Sequence, residues 1–129
     1  MDIRVTSDKD VVHARQQGRA LAIELGFSAS DATLIATAIS ELTRNIVTYA
    51  GSGVVSLRRV TGPTGLGLTI EAVDQGPGIA DIDRALRDGY SSSGGLGLGL
   101  PGVRRLMDDF RIESGPGRGT SVTVTKWHR

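Results

Sequence analysis

The chain is expected to form one α+β domain over residues 1–129, a two-layer sandwich. Its sheet would be mixed and mostly antiparallel, with five strands covered on one face by helices. Three features lead there. The first half carries two segments with apolar residues at helical spacing. Two alternating segments then flank Thr61-Gly62-Pro63-Thr64-Gly65, a loop of hairpin length and composition. Near the C-terminus Gly115-Pro116-Gly117-Arg118-Gly119 joins two further alternating segments.

Composition narrows the function classes. Hydrophobic residues make up 39% and charged residues 22%, ordinary for a soluble globular protein. A net charge of +1 gives no strong pull toward nucleic acid or a membrane surface. With no cysteine and only His13 and His128 to offer imidazole, neither disulfides nor a transition-metal site is expected. No apolar run is long enough to span a bilayer, and no signal peptide is apparent, so a cytoplasmic protein is the expectation. Glycine is the outlier, at 18 of 129 residues and concentrated after residue 50.

Residues 2–6 read as a short first strand. Ser7 before Asp8 and Asp10 looks like a capping-box start for a helix whose inner face is Val11, Ala14, Gly18, Leu21, Ala22 and Leu25. Gly26 ends it, and His13 falls on the solvated side. Ser28, with Asp31 three residues on, starts a second helix. Ile35, Ile39, Leu42 and Ile46 form its apolar stripe, with Thr33, Thr37, Ser40 and Arg44 opposite. At about 100° per residue, Glu41 and Asn45 lie one turn apart on the shoulder between those faces. There they either satisfy each other as a surface pair or face a cavity.

Strands are expected at about 54–60 and 66–74. In the second, Leu66, Leu68, Ile70 and Ala72 alternate onto one face, and Asp74 is next in that register. A carboxylate on the core side of a sheet is costly without a partner, supplied by the protein or by a ligand. Asp74-Gln75-Gly76-Pro77-Gly78 turns the chain into a short helix over 81–88, with Ile82, Ala85 and Leu86 inward. Residues 89–95 read as a mobile lid.

The run Gly94-Gly95-Leu96-Gly97-Leu98-Gly99 then passes into a helix carrying Pro101 in its first turn and Val103, Leu106 and Met107 on its inner face. Glycines admit a close backbone approach, and a helix N-terminus offers free amides and a positive dipole end, so this junction suits phosphate. Phe110 and Ile112 mark a fourth strand. Thr120, Val122 and Val124 share a face of the fifth, which brings Thr120 toward the same inner surface as Asp74. Trp127, the only tryptophan, either covers the sheet edge or reports partner docking.

Four features therefore stand in order. They are Glu41 with Asn45 on a helix, Asp74 with Gly76 and Gly78 after a strand, the glycine run before a helix, and Gly117-Arg118-Gly119-Thr120 opening the last strand. This ordered set resembles the GHKL ATPase superfamily (gyrase, Hsp90, histidine-kinase and MutL type, the Bergerat fold) over nearly the whole chain. The resemblance implies ATP and Mg²⁺ as cofactors. It implies Asn45 as the magnesium ligand, a hard oxygen donor for a hard ion, and Asp74 as acceptor for the exocyclic amine of adenine. Gly76, Gly78 and Ile79 would pass close to the base, and Thr120 would support the same edge. Gly94, Gly95, Leu96, Gly97, Leu98 and Gly99 would wrap the phosphates. Glu41 would be the general base toward an attacking hydroxyl.

Within that superfamily the chain most resembles the small bacterial serine/threonine protein kinases of the anti-sigma-factor group, and among them the stressosome switch kinases (RsbT type). Asp88-Gly89-Tyr90-Ser91-Ser92-Ser93-Gly94-Gly95, the segment through Leu106-Met107-Asp108, and the Lys126-Trp127 ending carry the likeness. Leu96 departs from the wider superfamily, where a Ser or Thr is common, and removes one hydroxyl contact to phosphate. The short lid argues against an extensive ATP-driven dimer clamp.

The implied activity is transfer of the ATP γ-phosphoryl group to Ser or Thr of STAS-domain proteins, with a PP2C-type phosphatase activated by the released kinase. The alternative is an anti-sigma factor that sequesters a sigma subunit and phosphorylates its STAS-domain antagonist. The catalytic half of a histidine kinase fits less well, since neither His13 nor His128 has the setting of a phosphoacceptor. An ATPase without a protein substrate is the remaining class.

Overall fold

The computed structural model describes residues 1–79, 86 and 99–128. Five strands form one sheet: β1 (Asp2–Val5), β2 (Gly53–Gly62), β3 (Gly65–Asp74), β4 (Asp109–Ser114) and β5 (Thr120–Trp127). Their spatial order is β1-β2-β3-β5-β4, and every pairing is antiparallel rather than mixed. Helices α1 (Asp8–Glu24), α2 (Ala29–Asn45) and α3 (Gly99–Leu106) contribute to one core with the sheet. The expected helix over 81–88 and the expected lid lie outside the described residues, except Leu86, which packs partly buried against the core.

Period-two alternation decides which sheet face is covered. Ile3, Val5, Val55, Leu57, Leu68, Ile70, Ala72, Val122 and Val124 are all buried in the core cluster. Across the opposite face, Thr69 and Thr125 are register partners whose hydroxyls share a 2.8 Å hydrogen bond. The Trp127 ring lies against Gly62 and Gly67, and its indole N–H donates to Asp109 Oδ2 at 2.8 Å. A side chain at either glycine would collide with the ring, so Trp127 covers the hairpin end of the sheet.

The hairpin is tighter than its five-residue loop suggested, because Gly62 and Gly65 already pair and leave only Pro63 and Thr64 to turn.

Both long helices present the faces their spacing indicated, with two corrections. Ser7 has extended backbone, but its side chain makes no cap bond. The start of α1 is held instead by Asp10 Oδ2, which accepts from Thr6 N–H at 2.8 Å and from the Thr6 hydroxyl at 2.9 Å. Thr6 thus does the work the capping-box reading gave to Ser7. The second correction concerns Ser40, placed on the polar face of α2, which is buried at 7% exposure. The spacing of a helix ranks its faces, but α2 is covered by more than the sheet alone, since α1 and α3 also pack on it.

These hydrogen bonds to Asp10 lower its pKa below the ordinary value of 3.8. A depressed folded-state pKa contributes stability that is present above the ordinary carboxylate value and lost as pH falls through the folded one. Melts of the parent and of Asp10→Asn should differ at neutral pH and converge under acid.

Helix α2 does not stop at Asn45. Residues Ile46–Ala50 continue it as a π-helical segment that ends at Gly51, whose φ of 83° breaks the run. Such segments have no simple sequence signature, and this one was not foreseen. It brings the end of α2 against the end of β3: a Cβ on Gly53 would meet both Ile46 Cγ2 and Asp74 Cβ, and one on Gly76 would meet Ala50.

Candidate nucleotide site

At the end of the sheet, register aligns four residues across four strands. Gly53 pairs with Asp74, Asp74 with Thr120, and Thr120 with Ser114. Asp74 and Ser114 follow, and Thr120 precedes, alternating apolar residues on the core side of their strands, so polar groups replace the core where the sheet ends. A cleft of about 470 Å³ opens there, its lining including Asp74, Gln75, Ser114, Arg118 and Thr120.

Asp74 has the partner its register demanded. Its Oδ1 accepts from Gly76 N–H at 2.9 Å, an Asx turn that redirects the chain after β3. The turn is braced from the far side by Ser114, whose Oγ accepts from Ile79 N–H at 2.7 Å, and by Gly117 N–H, which donates to Pro77 O at 2.7 Å. Gly78 and Gly119 have φ of 80° and 75°. A Cβ on Gly78 would collide with the Gly115 carbonyl, and one on Gly119 with the Asp74 carbonyl. The first reason for Gly78 is therefore packing against the β4–β5 turn, which the sequence reading had attributed to a ligand alone. Gly119→Ala should cost about 2 kcal/mol in a denaturant melt, from a left-handed backbone and a backbone clash together.

Two further acceptors lie on α2, which contributes no residue to the lining of that cleft. Glu41 is 1% exposed, and its Oε1 lies 3.4 Å from Arg44 Nη1, a pair in which Arg44 is 30% exposed. Its Oε2 is buried and has no hydrogen-bond partner, and the same holds for Asn45 Oδ1 one turn on. The two side chains therefore do not satisfy each other, so the surface-pair reading fails. Buried unpartnered oxygens are costly and rare, and they persist where something else completes them. Both are hard acceptors, suited to a divalent cation or an incoming proton donor. Residues that fit magnesium are thus in place, with Asn45 Oδ1 as the neutral oxygen donor.

Of the other expected residues, Gly99 is the first of α3, with φ of 54°, and is buried. Gly94, Gly95, Leu96, Gly97 and Leu98 lie outside the described residues. Among the described residues no three or more His, Cys, Asp or Glu side chains gather into a metal-holding group, and no helix is long and apolar enough to cross a membrane.

The sequence reading missed Ser114, although Phe110, Ile112 and Ser114 alternate as Leu68 through Asp74 do. The signal that singled out Asp74 would have found it.

Comparison with known proteins places the chain in a family. Residues 30–128 match the family model of histidine kinase-, DNA gyrase B- and HSP90-like ATPases. The chain is 52% identical over 127 residues to the serine/threonine-protein kinase RsbT of Bacillus subtilis (strain 168), covering 98% of this chain and 96% of that protein. It is 30% identical over 120 residues to an anti-sigma F factor of Thermoanaerobacter sp. (strain X514), covering 88% and 82%. Among solved structures, the RsbU and RsbW domains of a Mycobacterium tuberculosis protein superpose with a TM-score of 0.65 at 22% identity, over 99% of this chain and 32% of that one. The SiaB–SiaC complex of Pseudomonas aeruginosa gives 0.60 at 13%, over 98% and 88%. The last two show the shared fold. With the ATPase family matched over most of its length and a kinase relative matched end to end, this chain belongs to the histidine kinase-, DNA gyrase B- and HSP90-like ATPase family, in its branch of small serine/threonine-protein kinases and anti-sigma factors.

Proposed function

We propose that the chain is a protein kinase that moves the γ-phosphoryl group of ATP to Ser or Thr of a STAS-domain protein in the cytoplasm, as a single domain. The observation that carries this is the pair of buried, unpartnered oxygens, Glu41 Oε2 and Asn45 Oδ1, one helical turn apart on α2 just before Ile46, which meets the end of β3 at Gly53. Asp74 and Thr120 read the adenine edge, while Gly76, Gly78 and Ile79 shape the turn that borders it. The run from Gly94 to Gly99 grips the phosphates at the start of α3. Asn45 would hold Mg²⁺, which would offset phosphate charge. Glu41 Oε2 takes the proton from the acceptor hydroxyl as its oxygen forms a bond to the γ-phosphorus. The bond from that phosphorus to the β–γ bridging oxygen breaks, and ADP leaves.

The 52% identity to a serine/threonine-protein kinase supports a protein acceptor over plain ATP hydrolysis. Phosphorylation adds about two negative charges to the docking face of the STAS protein, which would expel the kinase by repulsion and desolvation. The freed kinase then activates a PP2C-type phosphatase, completing a partner switch of the stressosome kind. The 30% identity to anti-sigma F factors favours one second reading, an anti-sigma factor that phosphorylates its STAS-domain antagonist.

The test is incubation with labelled ATP, magnesium and candidate STAS proteins, followed by mapping of the label. A single labelled Ser or Thr is expected. ATP consumed with no label on any STAS protein would overturn the kinase reading. A pull-down that recovers a sigma factor in place of the phosphatase would select the second reading.

A further inference from the structure

The Ser114 hydroxyl makes three contacts, and its one proton cannot serve them all. Ile79 N–H can only donate to it, at 2.7 Å. The Gly119 carbonyl can only accept from it, at 2.8 Å, so that bond takes the Ser114 proton. The third contact, 2.9 Å to Thr120 Oγ1, must then run from the Thr120 hydroxyl to Ser114 Oγ. A hydroxyl has one proton and two lone pairs, and this arrangement uses all three on Ser114. Thr120 has spent its proton, and toward the cleft it shares with Asp74 it presents lone pairs alone.

We infer that Ser114 is a specificity-positioning residue, which fixes Thr120 as an acceptor so that Asp74 and Thr120 together select a base edge bearing a donor. This rests on the adenine-nucleotide reading of the site. Adenine offers an exocyclic amine at that edge; guanine offers a carbonyl there, which would face two acceptors with no proton between them. A site whose polar groups are left unpaired by the wrong ligand discriminates more strongly than one that merely adjusts shape. Removing Ser114 frees the Thr120 hydroxyl to rotate and donate, so guanine becomes tolerable and adenine loses its advantage.

Calorimetric titration of the intact chain with ATP and with GTP, magnesium present, reads the ratio of the two affinities. Ser114→Ala should shrink that ratio about tenfold, and Ser114→Thr, which keeps the hydroxyl, should retain it. In a Thr120→Val background Ser114→Ala should change the ratio no further, which a merely structural role would not produce. A folded Ser114→Ala with the parental ratio overturns the inference while leaving ATP binding intact. Should Ser114→Ala fail to fold, Thr120→Val alone decides: a parental ratio there overturns the inference equally. A parent that binds no adenine nucleotide removes both the inference and the reading beneath it.

Discussion

Asp74→Asn is expected to weaken ATP binding about a hundredfold, a loss of roughly 3 kcal/mol. The size follows from the turn, not from the loss of charge alone. Asp74 Oδ1 is committed to Gly76 N–H, so the amide of the variant keeps its oxygen on that bond and turns its NH₂ toward the ligand. A donor then meets the donor of adenine, and an amide flip would cost the turn its anchor. The same NH₂ suits the carbonyl of guanine, so GTP should lose little or gain. Titration of the folded variant with both nucleotides checks this. ATP affinity equal to the parent's would mean that Asp74 does not read the base.

Glu41→Gln should spare nucleotide binding and slow phosphoryl transfer by about 10²- to 10⁴-fold, the ordinary cost of losing a general base. Gln fills the same volume, so the 1% exposed site stays packed. The parent carboxyl is sequestered with one long contact to Arg44 and one oxygen unpartnered. A neutral amide is cheaper to bury than that, so the thermal midpoint should hold or rise as activity falls. Single-turnover transfer, calorimetry and a melt separate the outcomes. Lost binding or a collapsed midpoint would make Glu41 structural.

Asp74 and Thr120 were legible because a strand has a period of two, and a polar residue in an apolar register stands out without knowledge of the partner strands. The row they share with Ser114 was not, since it needed the β3–β5–β4 order, which no local pattern carries. Helical angle put Glu41 and Asn45 one turn apart at the margin of α2's buried face, whereas Glu41 is 1% exposed. That depth was not legible, because α1 and α3 pack on α2 as well as the sheet, and residues distant in sequence decide it. Ser40 was misplaced for the same reason. The π-helical run Ile46–Ala50 was invisible, since nothing in its side chains marks one extra residue per turn. At Thr6 and Ser7 two adjacent hydroxyls competed for one helix start, and backbone geometry chose between them. Trp127 shows the converse: Gly62 and Gly67 leave room for a large ring, and only the β2–β3 and β3–β5 registers together bring them beneath it.

The measurement that reaches furthest is calorimetric titration of the intact, folded chain with ATP and magnesium. One saturable site that prefers ATP to GTP is the predicted result. No heat with any adenine nucleotide would mean that the polar row at the sheet end and the sequestered oxygens of α2 serve some other purpose.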